Sequence, residues 1–216
     1  MSTAFHFDVV TYFEQNGAQI RRDLGEYFSR YTGRWFEHWS EAGDEERFDL
    51  HDVAACASLG VSLSGDAVAA LLVESAEPLT AALAACPGRD VRIWELDRAD
   101  VDDGGAFMTL YRALRVLVPD VGYVRATKLL ASKRPHAMPI RDTVVEWLLG
   151  LRPKQNDWLG WHALMSDADF RRMVERVSAD VVPRETSLLR RVDVALWMEG
   201  KRRLAGATPA IDPRAA

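Results

Sequence analysis

A chain of 216 residues, 48% of them hydrophobic and 27% charged, is long enough to enclose a core and too apolar to stay disordered. Its formal net charge of −5 conceals an asymmetry: residues 1–110 carry 8 Lys+Arg against 20 Asp+Glu, a net of −12, and residues 111–216 carry 19 against 12, a net of +7. No apolar run approaches the ~18 residues of a membrane span, and acidic residues stand near the N-terminus where a secretory leader needs cations. Two cysteines, Cys56 and Cys86, are too few for a four-ligand zinc site or a disulfide framework and read as buried thiols. The expectation is a cytoplasmic protein with no metal, no cofactor and no membrane contact.

In chain order the elements read as helices. Val9, Tyr12, Phe13, Ile20, Leu24, Tyr27, Phe28 and Tyr31 recur at three- and four-residue spacing within 5–39, and Gly17, Gly25 and Gly33 divide that stretch into two or three helices. Trp35 and Trp39, four apart, point to the core or to a helix–helix contact. The acidic run EAGDEE at 41–46 is a loop, and Asp49 caps a helix from about 50 to 59 with Asp52 in its first turn. Ser64 caps the next apolar helix, and an Ala-rich helix from about 78 to 85 stops at Cys86-Pro87-Gly88. VRIWELD at 91–97 has strand character without a partner strand, and reads as an extended connector or a helix end. Amphipathic helices follow at 106–118, 143–149, 167–177 and 184–203. The fold class is therefore all-α: one compact helical domain over 1–204, acidic in its helices 5–110 and basic over 111–204, followed by a flexible tail at 205–216.

The most informative segment is LRVLVPDVGYVRATKLLASKRPHAMPIRDTVV at 114–145. Pro119 breaks a helix, Asp120-Val121-Gly122 turn tightly, and a second helix opens near Tyr123 with Ala126, Leu129 and Leu130 on one face. Such a turn leaves the first amides of the second helix open, which suits a phosphate. The pattern apolar-Pro-x-Val-Gly-x-x-x-Ala-x-x-Leu-Leu resembles the helix-hairpin-helix of base-excision DNA glycosylases. The following Pro139-Ile140-Arg141-Asp142-Thr143-Val144-Val145 resembles the turn that carries that family's catalytic carboxylate. The resemblance implies a glycosylase-like helical fold and DNA as partner, with Asp142 as the carboxylate that stabilises positive charge developing on the sugar. This chain departs from the family pattern in four ways. Asp120 replaces the first hairpin glycine, Asp142 is displaced by one residue, Val124 stands where bifunctional members keep a lysine, and no cysteine cluster follows. YTGRWFE at 31–37 and TKLLASKRP at 127–135 also resemble an uncharacterised bacterial family of domains of unknown function, which brings no activity with it.

Each of these residues has a plainer reading beside the functional one. Asp142 is placed to cap the helix at 143–149. Gly122, Tyr123, Val124, Arg125, Lys128, Lys133, Arg134, His136 and Arg141 are candidate DNA contacts, basic enough to supply salt-sensitive phosphate affinity, or equally a solvated face that neutralises the acidic half. Tyr123 stacks on a base or fills the groove between its two helices. Two functions follow: a DNA-binding helix-hairpin-helix protein, in its enzymatic form a monofunctional glycosylase, or a non-enzymatic interaction module that pairs with itself or a partner.

Overall fold

Asp8 opens the first helix by turning its carboxylate onto the Thr11 amide at 3.0 Å. That helix, α1 (Val9–Arg30), buries Val9, Tyr12, Phe13, Ile20, Leu24 and Tyr27 along one side, as their spacing predicts. It runs on through Gly17 and Gly25, and its single break is at Asn16 (φ −118°, ψ 20°), whose side-chain amide donates to the Tyr12 carbonyl at 3.0 Å. The computed structural model describes residues 5–151 and 156–207, and every regular element among them is helical, with no strand. No single helix among them is long and apolar enough to cross a membrane.

A short 3-10 turn, Thr32–Trp35, leads into α2 (Phe36–Ala42), which buries Phe36, Glu37 and Ser40. Trp35 and Trp39 lie one position off that face and are 48% and 36% exposed, so the core placement expected for them is corrected. Asp49 and Asp52 form a reciprocal capping box on α3 (Leu50–Ser58). Ser64 caps α4 (Gly65–Ala69), which passes through a π turn at 70–74 into α5 (Ala76–Ala84) with a bend of 66°. The 91–97 segment is a connector holding one 3-10 turn at Ile93–Glu95, and the Ile93 amide donates to the His136 carbonyl at 2.9 Å.

The second half continues with α6 (Arg98–Val101), α7 (Ala106–Leu117), α8 (Tyr123–Lys133), α9 (Thr143–Leu149), α10 (Trp158–Ser166), α11 (Ala168–Ser178) and α12 (Leu188–Ala207). Helix α10 has no counterpart among the helices expected from sequence. Its run WLGWHALMS is apolar on nearly every side, so it lacks the 3.6-residue alternation that betrays an amphipathic helix. The expected tail at 205–216 begins as the last turn of α12, and 208–216 lie outside the described residues.

One contiguous core runs from Phe5 to Met198. Helix α1 packs on α11 and α12, α3 on α2 and α8, α5 and α8 on α7, and α9 on α12. Part of the charge asymmetry is met inside this packing, where Lys133, Arg190 and Arg202 pair with Asp52, Glu37 and Asp23. Lys133, fully buried, meets Asp52 at 2.6 Å and donates to the Asp44 carbonyl at 2.6 Å. Arg134 donates to the carbonyls of Pro87 at 2.6 Å and Glu45 at 3.1 Å. The basic half thereby clamps the acidic loop at 41–49 through its carbonyls. Both cysteines are buried and free, and burial pushes the Cys56 thiol up to about 12.

Candidate functional site

Asp142 caps α9, its Oδ1 accepting from the Val144 amide at 3.0 Å, as the sequence position suggests. Its second oxygen, Oδ2, is left for Lys128 Nζ, 3.6 Å away. Lys128 is only 2% exposed, and its ammonium also donates to the Leu59 carbonyl at 3.0 Å. Burial pushes that ammonium below the usual lysine range, while Asp142 and Asp193 pull it back up.

The pair lines a pocket of about 230 Å³. Tyr31 and Trp197 form an aromatic corner of it, their rings 5.4 Å apart and nearly perpendicular. Behind them lies a buried ionic knot on α12. Arg190 donates to Glu37 Oε1 at 3.2 Å, to the Tyr27 hydroxyl at 2.6 Å and to Asp193 Oδ2. Burial raises the Glu37 carboxyl against the pull of Arg190, and raises the Tyr27 hydroxyl as well. The Arg190 guanidinium is held charged by Tyr27, Glu37 and Asp193 against its own desolvation.

Gly33 borders this knot, and a Cβ there would overlap the Tyr27 hydroxyl. Gly33→Ala is therefore expected to push Tyr27 off Arg190 and cost about 1–3 kcal/mol in a thermal or urea melt. A variant as stable as the parent would show that Tyr27 can yield freely.

The loop between α3 and α4 is laid along α8. Leu59 O takes Lys128, Ser62 O takes Arg125 Nε at 3.0 Å, and Ser64 Oγ approaches Asp120 Oδ2 at 3.5 Å. This ties the pocket rim to the turn joining α7 and α8. Asp120 sits there at φ +58°, a left-handed position that Asp tolerates better than most residues, and Arg125 Nη1 donates to its carbonyl at 2.7 Å. Gly122 is the N-cap of α8 with no side-chain cap, so the opening amides of the helix are not closed off by a side chain.

The nine candidate contacts separate into two groups. Gly122 and Tyr123 are exposed, Val124 and Arg125 half-buried, and all four surround the start of α8. Lys128, Lys133, Arg134 and Arg141 are buried, and His136 is half-buried with its imidazole pushed down by desolvation. Burial takes those four cations out of any solvated basic face, while Lys128 and Arg141 still line the walls of concavities. Arg141 is locked against Glu146 and lies 3.6 Å from Asp157. The Tyr123 hydroxyl donates to Glu146 at 3.2 Å while its ring lies under the Arg141 guanidinium.

A second concavity of about 410 Å³ is bounded by Tyr111, Arg112, Arg115, Tyr123 and Trp158; on its wall Arg141 lies 3.6 Å from Asp157, and Arg115 donates to the Tyr111 hydroxyl at 3.4 Å. The Lys128–Asp142 pocket differs in being lined by Asp193, whose buried Oδ1 has no hydrogen-bond partner. Asp193, Arg190, Tyr31 and Tyr27 were not visible as site residues in the sequence. The available signal was an Arg and an Asp, three apart, inside the otherwise apolar LLRRVDVALW of α12. Among the described residues no group of three or more His, Cys, Asp or Glu is arranged to hold a metal ion.

A protein-family model described as a family of unknown function matches residues 20–200. No curated protein and no solved structure matches the chain.

Proposed function

This chain belongs to the DUF6308 family, and from that premise we propose that it is a DNA-binding enzyme that hydrolyses the N-glycosidic bond of a nucleotide turned out of the strand. The observation that carries this is Asp142: a helix cap with one oxygen spent on the backbone and the other facing a buried lysine in an aromatic-walled pocket. Turning a base out costs a few kcal/mol, which stacking against Tyr31 and Trp197 offsets. Asp142 Oδ2 then lies against the sugar and stabilises the positive charge that develops as the bond to the base lengthens.

The start of α8 supplies the phosphate contact. Its open amides at Tyr123 and Val124 and the positive end of the helix favour an anion. Val124 and Lys128 are four residues apart on one helix face, about 6 Å along the axis, so a phosphate at the turn and a sugar at the pocket belong to neighbouring atoms of one nucleotide. A phosphate site beside a carboxylate pocket is what the sequence resemblance to a helix-hairpin-helix implies, and it supports this reading. Arg125, rather than the buried cations, is the side chain placed to add charge there.

The test is fluorescence anisotropy with short duplex and single-stranded DNA across a salt series. Micromolar binding at low salt, falling steeply as salt rises and weakened at least fivefold by Arg125→Glu, is the expected result. Absence of binding at low salt would sink the proposal. A second reading is favoured by one observation: Trp35, His38, Trp39 and His51 form a row of neighbouring rings on the surface beside the acidic loop. Such a row suits a protein partner or a second copy, and light scattering in low and high salt reads it directly. A monomer in both counts against the self-paired form.

A further inference from the structure

We infer that Asp193 is the general acid of this pocket, the group that hands its proton to the departing base. The inference rests on the glycosidic reading above and adds the residue that makes the base a leaving group. Asp193 lies on α12 and is 3% exposed, yet it lines the same pocket as Asp142 and Lys128. Its Oδ2 is taken by Arg190, and its buried Oδ1 has no hydrogen-bond partner. A buried acceptor without a donor is unfavourable unless it carries a proton or meets one on a ligand.

Charged and titratable groups surround it on several elements. Arg190 comes from its own helix, Lys128 from α8 and Asp142 from the start of α9, with Glu37 of α2 and Tyr27 of α1 on the far side of Arg190. Burial, with the nearby Asp142 adding to it, lifts the Asp193 carboxyl to about 6 against the opposing pull of Arg190 and Lys128. The two carboxyls thus occupy unlike surroundings and suit two roles, one acid and one charge stabiliser.

The step balances as follows. The Asp193 proton moves onto a ring nitrogen of the base as the C1′–N bond breaks, its electron pair staying with the base. A water oxygen bonds to C1′, and the surplus water proton restores the Asp193 carboxyl.

Two leaving groups separate this from the parent proposal. A neutral base needs the proton, whereas 7-methylguanine is already cationic and departs as a neutral molecule. In oligonucleotides carrying one or the other, Asp193→Asn is expected to slow neutral-base release by about 10²–10⁴-fold and 7-methylguanine release by less than about threefold. In the unaltered chain, neutral-base release falls about tenfold per pH unit above the Asp193 value, and 7-methylguanine release does not. That profile requires no variant, so it stands even where Asp193→Asn fails to fold. Equal losses on both bases, or equal pH profiles, would overturn the acid role and leave the glycosidic reading intact. Release of neither base by the unaltered chain overturns both.

Discussion

Asp142→Asn is expected to slow base release by orders of magnitude while leaving the fold in place. Asn and Asp are equally good N-caps, so the bond from the Val144 amide persists and α9 still starts at Thr143. Lys128 loses a carboxylate at 3.6 Å but keeps the Leu59 carbonyl. The loss of stability should be about 1 kcal/mol, a fall in Tm of roughly 2–4 °C for a domain of this size. The rate should drop by about 10²–10³-fold, the usual consequence of removing one preorganised group that opposes charge in a transition state. DNA affinity, which is set at the start of α8, should change by less than about threefold. Single-turnover base release and anisotropy on the same preparation measure the two together. A variant with parental rate would remove Asp142 from the chemistry and leave it a cap.

Lys133→Met should produce the largest loss of stability. Lys133 and Asp52 are 0% and 1% exposed at the side chain and lie 2.6 Å apart. Burial already pushes the Asp52 carboxyl up, and Lys133 is the main charge opposing that rise. Removing one partner of such a pair costs about 3–5 kcal/mol, or roughly 6–20 °C in Tm, against a total stability of about 5–15 kcal/mol. The double variant Lys133→Met/Asp52→Asn should recover a large part of this, because the remaining amide carries no charge, its single oxygen can still accept from the Asp49 amide, and its NH2 can donate to the Ser132 hydroxyl that Asp52 now accepts from. Urea melts of the three variants test the coupling. Additive losses would show that the pair contributes little beyond its packing. The DNA salt slope of any folded Lys133 variant should match the parent, whereas a phosphate-contacting lysine would reduce it by about one.

Much of the helical layout was legible because helix starts are local events. Asp8, Asp49 with Asp52, Ser64, Asp142 and Asp167 each cap the helix that follows through a residue no more than three positions away. The turn at 118–122 was likewise announced by Pro119 and Gly122. Where the apolar pattern lost its period the reading failed: α10 is apolar on nearly every side, and the 3-10 turn and α2 show Trp35 and Trp39 to solvent.

The candidate site was only half legible, for a reason of distance. Asp142 could be found because capping and its position after Pro139 are both written within four residues. The pocket around it draws on residues 27 to 197, and the Arg190–Glu37 contact joins positions 153 apart. The same holds for the basic cluster. Sequence shows cations at 128, 133, 134 and 141, but burial follows from what the rest of the chain brings against them: Leu59, Asp52, Pro87 and Asp157. Hydrogen bonds along the backbone and the period of apolar residues act over a single turn, so one stretch of chain suffices to set them. Desolvation and ion pairing depend on which distant segment fills the neighbouring space, and so the folded chain alone turned an apparent basic face into interior struts and a lone helix cap into one wall of a pocket.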